Sequence, residues 1–321
     1  MRAFVTGGTG FIGGHLVRAL RERGEVVVAL VRSPEKAGRL DAIGCELVDG
    51  DLGSADAIRK AVDGCDACFH VAADYRIGVT EADCHEMEAS NVGGTQRVID
   101  AATDAGVGRI VYVSTIGVFG DTHGKVVDET FWPATERFPT CYERTKNLAH
   151  VAARERIEKG APVIIVQPGG VYGPGDASPL ANLIEQTRKG RMKLVAMGDT
   201  GFNFVHVDDV VQGILLAHDK GRIGESYVLG GEMARTADLI RKVAMLSGRK
   251  PPVGKVPDFL VKAAIPMGRL LGPAFGIGPN MREAVAAARS TYWATDDKAR
   301  RELGYSPRDL ETGLTQTLAD S

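Results

Sequence analysis

The chain has 321 residues, of which 44% are hydrophobic and 25% are charged. These values are typical of a globular protein and exclude a largely disordered chain. Its 39 Lys and Arg residues nearly balance its 41 Asp and Glu residues, and the net charge of −2 argues against a surface for nucleic acid or anionic lipid. The length accommodates one large α/β domain and a smaller lobe.

The five cysteines are odd in number, and the first residues lack the basic and apolar pattern of a secretory signal. We therefore expect no disulfide framework and a cytoplasmic location. Cys65 and Cys68 form a C-x-x-C motif. No second Cys or His pair follows at zinc spacing, so the motif predicts packing within a strand and no metal site.

The sequence contains no uncharged apolar run long enough to span a membrane. Residues 259–281 come nearest, but Lys262, Pro266, Arg269 and Pro273 interrupt them. We predict a lobe or lid there, and contact with a membrane surface is the alternative.

Strand-like and helix-like segments alternate through the first half of the chain. Short apolar runs predict strands at residues 3–6, 26–31, 46–48, 67–70, 110–114 and 163–167. The spacing of apolar residues predicts helices at 11–23, 37–43, 55–62, 86–105 and 138–159. Repeated strand–helix units predict an α/β fold of the Rossmann type, in which a doubly wound parallel sheet carries helices on both faces.

After about residue 170 the alternation becomes irregular and prolines are frequent. Helices are predicted at 179–189, 208–218, 236–247 and 281–289. We interpret residues 1–170 as the Rossmann-type domain and 171–321 as mainly a smaller substrate-binding lobe, with about 202–230 returning to the first domain. Ligands bind at the carboxyl edge of such a sheet, where the lobe is expected to lie.

A glycine-rich turn lies between the first predicted strand and the first predicted helix. The run V-T-G-G-T-G-F-I-G-G over residues 5–14 fits G-x-G-x-x-G at Gly8, Gly10 and Gly13. Glycines allow the backbone to turn tightly and approach a diphosphate, and the helix N-terminus adds N–H groups and partial positive charge. The sequence therefore predicts a dinucleotide site formed by Gly7, Thr9, Gly10, Phe11, Ile12 and Gly13.

The ends of the next three strands are predicted to belong to the same site. NAD-binding chains usually carry Asp or Glu after the second strand to bind the ribose 2′-hydroxyl, whereas this chain has Arg32. A guanidinium pairs well with a 2′-phosphate, so NADP (as NADPH) is favoured over NAD, and a solvated surface arginine is the alternative.

Asp51 and Leu52 follow the third strand, where adenine is expected, and a helix cap is the alternative for Asp51. For His70 the alternative is a core histidine. The residues predicted to face the middle of the cofactor are His70, Val71, Ala72 and Ala73.

Tyr142 and Lys146 lie four residues apart on a predicted helix, which places both side chains on one face. A free tyrosine has a pKa of about 10, too high for efficient proton transfer at neutral pH. A nearby ammonium group and a positively charged nicotinamide lower that pKa. The pair is therefore a candidate for proton transfer.

Together these motifs resemble the extended short-chain dehydrogenase/reductase family, also described as NAD-dependent epimerases and dehydratases. The resemblance covers nearly the whole chain. It rests on T-G-G-T-G-F-I-G (6–13), H-V-A-A (70–73), V-Y-V-S-T-I-G-V-F-G (111–120), Y-x-x-x-K (142–146), P-G-G-V-Y-G-P-G-D (168–176), H-V-D-D-V (206–210) and L-G-Y-S-P (303–307). Segments 67–76 and 222–232 are especially similar to bacterial dihydroflavonol-reductase-like proteins and hopanoid-associated epimerases.

The resemblance implies that Tyr142 is the general acid/base and that Lys146 holds the nicotinamide ribose and lowers the pKa of Tyr142. Thr115 takes the place of the family's catalytic hydroxyl, and Ser114 is the alternative. Asn91 is implied near the active site, where it stabilises backbone and water. A homodimer through the two long predicted helices is also implied. Further cofactor contacts are expected from Val113, Pro168, Gly169 and Val171.

Two features beside these motifs are predicted to be structural. Asp208 or Asp209 is expected to cap the helix that follows H-V-D-D. Cys141 precedes Tyr142 but lies about 100° further round the helix, so it is expected to pack and not to react.

Members of this family either interconvert carbonyls and alcohols with an exchangeable cofactor or keep NAD bound and convert nucleotide sugars. Arg32 favours the first group. Nucleotide-sugar enzymes usually carry an arginine near position 202 that pairs with the diphosphate, but this chain reads F-N-F over residues 202–204. Gln167 also stands where they often have arginine. Arg191 or Arg289 remains as a compensating cation.

We therefore predict an NADPH-dependent carbonyl reductase, active on ketones or aldehydes and working in reverse as an alcohol dehydrogenase. The alternative is a nucleotide-sugar epimerase or dehydratase with tightly bound NAD. A non-enzymatic cofactor sensor is disfavoured because Tyr142 and Lys146 are intact. The substrate is predicted to be a hydrophobic small molecule that contacts Asp74, Tyr75, Phe119 and Tyr172.

Overall fold

The computed structural model describes residues 1–133, 138–195, 198–252, 254–256, 266 and 280–319, and these are the residues discussed below. Most of the lobe or lid predicted at 259–281 lies outside the described residues. Within the described ranges, no helix is both long enough and apolar enough to cross a membrane.

Seven parallel strands form the central sheet. In chain order, the strands of the described residues are β1 (Arg2–Thr6), β2 (Val26–Val31), β3 (Glu46–Asp49), β4 (Ala67–His70), β5 (Arg109–Val113), β6 (Val163–Pro168), β7 (Gly170–Tyr172), β8 (Leu194–Val195), β9 (Gly201–His206), β10 (Ser226–Leu229), β11 (Glu232–Arg235) and β12 (Gly254–Lys255). The order across the sheet is β10-β6-β5-β4-β1-β2-β3, and each neighbouring pair runs parallel. The strand order reverses between β1 and β4, and ligands bind at the carboxyl edge of such a switch point.

Helices cover both faces of this sheet. In chain order they are α1 (Phe11–Glu22), α2 (Gly38–Ala42), α3 (Ala55–Val62), α4 (Glu81–Glu88), α5 (Gly94–Asp104), α6 (Cys141–Glu158), α7 (Pro179–Arg188), α8 (Val207–Lys220), α9 (Thr236–Leu246), α10 (Met281–Ala287), α11 (Asp297–Leu303) and α12 (Leu310–Ala319). Helices α1 and α8 share one core, whereas α3, α5 and α6 share the other. In β1, Ala3 and Val5 face the first core and Phe4 faces the second, as in a strand buried on both sides. The predicted α/β fold is confirmed.

The second half of the chain builds a smaller layer beyond the carboxyl ends of the central strands. Strand β9 pairs parallel with β7 and antiparallel with β11, and α7 and α9 contribute to the core beneath them. Strand β10 belongs to the central sheet, where it pairs with β6, and α8 contacts β5 and β6. The division of the chain into domains at residue 170 stays a prediction.

The helix predicted at 86–105 begins earlier and is interrupted. Helix α4 ends at Glu88, a π-helical turn spans Ala89–Gly93, and α5 follows. Thr80 caps α4: its hydroxyl oxygen accepts the Asp83 N–H at 3.2 Å, and the Asp83 carboxylate accepts the Thr80 N–H at 3.2 Å. This reciprocal capping box explains why the helix starts before the apolar periodicity does.

The prediction that Asp208 or Asp209 caps α8 is wrong. His206 precedes the helix, and its Nδ1 accepts the Asp208 N–H at 3.3 Å. Asp208 lies 3.0 Å from Nδ1 of His15 on α1, and Asp209 accepts hydrogen bonds of 2.9–3.1 Å from Arg308. Both carboxylates join segments that are distant in the chain, which a local capping pattern does not reveal.

A disulfide joins Cys84 of α4 to Cys141, the first residue of α6. The two residues are 57 positions apart, and the packing of α4 against α6 brings their Cα atoms to 5.9 Å. The expectation of unpaired cysteines is therefore wrong for this pair, and Cys141 is covalently bonded and not only packed. Cys45, Cys65 and Cys68 are free and buried.

We expect reduction of this disulfide to destabilise the protein, because the bridge restricts the unfolded chain. Bridges of this kind typically contribute about 2–4 kcal/mol to the free energy of unfolding. Addition of dithiothreitol should therefore lower the melting temperature of the wild-type protein. The matched control is the double variant Cys84→Ser/Cys141→Ser, which should melt at the lower temperature with or without reductant. Equal melting of oxidised and reduced wild-type protein would contradict this expectation.

Candidate active site

One continuous cavity of about 1780 Å³ runs along the carboxyl edge of the central sheet and into the smaller layer. The ends of β1, β2, β4 and β5 and the start of α6 line it. Of the residues predicted to bind the cofactor, those that line this cavity are Gly7, Thr9, Gly10, Phe11, Ile12, Gly13, Arg32, Asp51, Leu52, Val71, Ala72, Ala73, Val113, Tyr142, Lys146, Gly169 and Val171.

The glycine-rich turn packs backbone against backbone and leaves no space for side chains. Gly7 has a φ of +77°, and a Cβ there would lie 2.7 Å from the Ala72 nitrogen. A Cβ on Gly13 would overlap the Gly7 carbonyl oxygen. Helix α1 begins directly after Gly10, which has no side chain to cap the first N–H groups. This cradle fits a diphosphate, whose oxygens accept such N–H groups.

Arg32 and Asp51 border the cavity after β2 and β3. Asp51 Oδ1 accepts the Ser54 hydroxyl at 2.8 Å and the Gly53 N–H at 2.9 Å. The hydrogen bond from Ser54, then that from Gly53 and more weakly the charge of Arg32, hold the pKa of Asp51 below its usual range. Asp51 therefore stabilises the turn before α3, whose N-cap residue is Ser54, and it also lines the cavity. Its contact with adenine stays a prediction.

His70 lies behind the cavity wall. Its Nδ1 is 2.8 Å from Thr6 Oγ1 and its Nε2 is 3.0 Å from Thr95 Oγ1. Burial, and secondarily the charge of Lys146, lowers the pKa of His70 to about 3, so the ring is neutral. Because both nitrogens are already bonded within the core, the predicted cofactor contact of His70 is corrected to the core-histidine alternative.

Three other predicted residues also lie off the cavity. Pro168 is buried at the end of β6, beside β10. Phe119 is 3% exposed and packs against Phe131, with ring centres 6.0 Å apart. Tyr172 is 1% exposed and stands edge-on to His206 at 5.6 Å. The side chains of Phe119 and Tyr172 belong to apolar cores instead of the cavity lining, and Pro168 does not line the cavity either.

Three residues with predicted catalytic hydroxyl groups line the cavity. Tyr142 lies in the first turn of α6, and Ser114 and Thr115 directly follow β5. Thr115 Oγ1 accepts the Gly117 N–H at 3.1 Å, and a hydroxyl that accepts still has its proton to donate. Ser114 Oγ lies 3.0 Å from Nδ1 of the buried His150. Thr115 is therefore better placed than Ser114 to bind a ligand oxygen.

Lys146 is buried and joins α6 to β5. Its Nζ donates to the Val113 carbonyl oxygen at 2.9 Å and to the Tyr112 hydroxyl at 3.1 Å, and it lies 4.7 Å from the centre of the Tyr112 ring. An ammonium group carries three donors, and these two bonds use two of them.

The protein's own groups raise the pKa of Tyr142. Burial is the largest cause, and Tyr75, Tyr112 and Glu143 add to it. Tyr142 is therefore a protonated phenol at neutral pH. The lowering of this pKa by Lys146, which the family resemblance implies, stays a prediction.

The segment that follows β4 forms the wall opposite Tyr142. The ring of Tyr75 stands edge-on to that of Tyr142, with centres 4.6 Å apart. Asn91 Oδ1 accepts the Asp74 N–H at 2.7 Å, and Asn91 Nδ2 donates to the Asp74 carbonyl oxygen at 3.0 Å. The Asp74 carboxylate accepts from Arg76 at 2.7 and 3.0 Å. Asn91 thus holds the backbone of this wall, the role implied for it by the resemblance.

Two further residues that line the cavity were not predicted from the sequence. Glu143 and Tyr292 both line the cavity, and the Tyr292 hydroxyl donates to Glu143 Oε1 at 2.8 Å. The Y-x-x-x-K motif does not specify the residue at position 143. Its position next to Tyr142 in the sequence is the feature from which Glu143 could have been predicted to line the cavity. Tyr292 comes from 149 residues further along the chain and had no local signal.

Comparison with known proteins agrees with this geometry. Residues 3–230 match the NAD dependent epimerase/dehydratase family. A 4-hydroxy-2-methyl-3-oxo-4-farnesyl-3,4-dihydroquinoline-1-oxide ketoreductase from Stigmatella aurantiaca is 35% identical over 312 residues, which cover 96% of this chain and 92% of that protein. A putative dihydroflavonol 4-reductase from Synechocystis sp. is 33% identical over 327 residues, which cover 99% of this chain and 92% of that protein.

Among solved structures, the crystal structure of gox2253 is 37% identical to this chain and superimposes with a TM-score of 0.84, covering 99% of this chain and 97% of that one. The sequence match extends through the glycine-rich turn, the strand ends and the Tyr142–Lys146 helix. This chain therefore belongs to the NAD dependent epimerase/dehydratase family, the extended short-chain dehydrogenase/reductases.

Proposed function

We propose that this protein is an NADPH-dependent carbonyl reductase that acts on ketones or aldehydes and works in reverse as an alcohol dehydrogenase. The observation that carries the proposal is the meeting of Tyr142 and Thr115 with the glycine-rich cradle in one cavity. The names of the two relatives, a ketoreductase and a putative dihydroflavonol reductase, support it. A bound nicotinamide cofactor would supply the hydride for the carbonyl carbon.

Tyr142 and Thr115 act on the oxygen of the carbonyl group. The Tyr142 hydroxyl gives its proton to that oxygen as negative charge develops on it, and the Thr115 hydroxyl donates a hydrogen bond to the same oxygen. The raised pKa of Tyr142 keeps the phenol protonated at neutral pH, which suits a proton donor. The reverse reaction needs a phenolate, so we expect alcohol oxidation to require higher pH than reduction.

Lys146 and the cradle position the cofactor in this proposal. Two of the three Lys146 donors are held by Val113 and Tyr112, which leaves one donor, as far as the described residues go, for a ribose hydroxyl. The N-terminus of α1 binds the diphosphate. Gly169 and Val171 border the same cavity, which supports their contact with the nicotinamide carboxamide.

Arg32 supports NADPH as the preferred cofactor. It is exposed at the cavity rim after β2, where a ribose 2′-phosphate would lie, and its planar guanidinium suits a phosphate group. Asp51 faces the same rim with a carboxylate that already accepts two hydrogen bonds. NAD remains the alternative cofactor.

The rest of the cavity supports a hydrophobic substrate. Apolar and aromatic side chains contribute to its lining beside polar residues such as Asn182 and Gln186; they are Tyr75, Ile77, Leu180, Leu183, Met192, Phe202 and Tyr292. Burial of apolar surface against them stabilises a bound ketone or aldehyde by about 25 cal/mol per Å² of apolar area.

A second candidate function is a nucleotide-sugar epimerase or dehydratase with tightly bound NAD. Arg191 and Lys193 line the cavity, and these cations favour a substrate with a diphosphate. Two residues argue against a nucleotide-sugar substrate. Phe202 borders the cavity where an arginine would be expected, and Gln167, at the other position where arginine is frequent, is 1% exposed within the core. We therefore keep the reductase as the main proposal.

Two further predictions belong to the proposal. The first is a homodimer through α5 and α6, which the family resemblance implies. A cytoplasmic location is the second.

The Tyr142→Phe variant should lose carbonyl reduction while keeping cofactor binding. Removal of a general acid typically lowers kcat by about 10²–10⁴-fold. Affinity for NADPH, followed by nicotinamide fluorescence, should change little because the ring remains in place. A folded variant that binds cofactor and reduces ketones at the wild-type rate would show that Tyr142 is not the general acid.

The Arg32→Asp variant should exchange the cofactor preference. Loss of a charged hydrogen-bonding partner costs about 1.5–3 kcal/mol, so NADPH affinity should fall by about 10–150-fold while NADH affinity is kept or improved. Arg39→Asp on α2 is the matched control, since Arg39 is exposed and does not line the cavity. If wild-type protein binds NADH as tightly as NADPH, Arg32 is a surface residue and the epimerase gains support.

An assay with nucleotide sugars distinguishes the reductase from the epimerase or dehydratase. We expect no conversion of UDP- or dTDP-sugars without added cofactor, and NADPH consumption with a panel of hydrophobic ketones and aldehydes. Product analysis by chromatography checks the first and absorbance of NADPH the second. Turnover of a nucleotide sugar by protein that retains NAD through purification would replace the reductase proposal.

A further inference from the structure

The cavity wall beside Tyr142 contains an acidic group that the proposed reaction does not use. Glu143 is 6% exposed and lines the cavity together with Tyr292. Its Oε1 accepts the Tyr292 hydroxyl at 2.8 Å. Its Oε2 is shielded from solvent and has no hydrogen-bond partner among the described residues. Buried carboxyl oxygens are rarely left in this state, so we look for a partner that arrives with a ligand.

One oxygen of the carboxyl group remains for such a ligand. Because Oε1 is held by the Tyr292 hydroxyl, Oε2 is the oxygen that a ligand in the cavity lined by Glu143 would meet. Gly117 borders the cavity next to it, and a Cβ there would come within 3.4 Å of Glu143 Cγ. A Cβ at this position would therefore be in van der Waals contact with Glu143.

The groups around Glu143 determine its charge. Those that face it come from several segments and are Thr140, Tyr142, Tyr75, Asp121, Glu283 and Tyr292. Burial is the main cause that raises the pKa of Glu143, to about 8. The nearby carboxylates raise it further, whereas the hydrogen bond from Tyr292 and the nearby Thr140 hydroxyl lower it.

The carboxyl group is therefore protonated at neutral pH. Because Oε1 already accepts a hydrogen bond, the proton resides on Oε2 and makes that oxygen a donor. The nearby acids Asp121 and Glu283 make the same place unfavourable for an anion.

We propose that Glu143 and Tyr292 form a subsite for a second, uncharged oxygen of the substrate, in addition to the carbonyl oxygen that Tyr142 protonates. The inference rests on the proposed reductase function and names its substrate class as ketones with a further carbonyl or ester oxygen close to the reacting group. Glu143 Oε2 donates to that oxygen, and the Tyr292 hydroxyl orients the carboxyl group. A 3-oxo ester is therefore preferred to the corresponding 3-oxo acid.

Three matched compounds test this subsite: a 3-oxo ester, the same ketone with an alkyl chain in place of the ester group, and the 3-oxo acid. KM and kcat are measured for each with saturating NADPH, from neutral pH to about one unit above the Glu143 pKa. The KM of the ester should rise about tenfold over this range as Glu143 loses its proton. The KM of the plain ketone should stay constant. Because any change in the protonation of Tyr142 affects both compounds alike, the ratio of the ester KM to the ketone KM reports on Glu143 alone.

The variants separate a binding role of Glu143 from a structural one. In Glu143→Gln the amide nitrogen still donates, so the KM of the ester should stay within about threefold at neutral pH and its rise with pH should disappear. In Glu143→Leu the KM of the ester should rise about tenfold, which is the loss expected for one hydrogen bond. The KM of the plain ketone should not change. Glu155→Gln, an exposed change on the same helix, is the control and should alter neither.

Each outcome decides the inference. A Glu143 that only supports the fold would shift the KM of ester and ketone equally and leave their pH profiles unchanged in Glu143→Gln, and that result overturns the subsite while the reductase stands. Preference for the 3-oxo acid overturns the requirement for an uncharged oxygen. Absence of reduction of all three compounds, with turnover of a nucleotide sugar, overturns the proposed function and the inference with it.

Discussion

The buried ammonium group of Lys146 holds the active-site end of α6 against the central sheet. It is 2% exposed, and its two hydrogen bonds reach Val113 and Tyr112 of β5. A charge buried without partners is strongly destabilising, so α6 cannot move away from β5 without losing these bonds. Tyr142, one turn earlier on α6, is thereby held over the end of β5, where Thr115 follows.

The opposite wall depends on ties between segments that are far apart in the chain. Asn91 binds the backbone of Asp74 through both atoms of its amide group. The Gly78 N–H donates to the carboxylate of Glu283 on α10 at 3.1 Å. The disulfide from Cys84 fastens α4 to the first residue of α6. These ties hold Tyr75 against Tyr142, and they explain how an irregular segment forms a defined side of the cavity.

Burial sets the protonation of the groups near the reacting atoms. The pKa values of His70 and His150 are lowered to about 3, that of Glu143 is raised to about 8, and that of Tyr142 is raised above its usual range. Each of these groups is therefore neutral at neutral pH. The charge of Lys146 acts in surroundings of low polarity, where electrostatic interactions are stronger than in water.

Much of the fold and of the cofactor site could be predicted from the sequence because their signals are local. The alternation of apolar runs and helical spacing predicted β1 to β6 within a few residues. Gly7 and Gly13 of the glycine motif stand where a Cβ would collide with the backbone. The pair of Tyr142 and Lys146 was visible because four residues are one helical turn.

The tertiary structure decided what depends on distant partners. Thr6 and Thr95 make His70 a core residue, and Cys84 pairs with Cys141 across 57 positions. The sequence by itself determined the sheet, the glycine-rich turn and the placing of Tyr142 and Lys146 on one helix face, because periodicity, glycine geometry and helical spacing act over a few residues. Only the packed chain decided which side chains face the cavity and which are neutral, because burial and long-range hydrogen bonds arise after the segments meet.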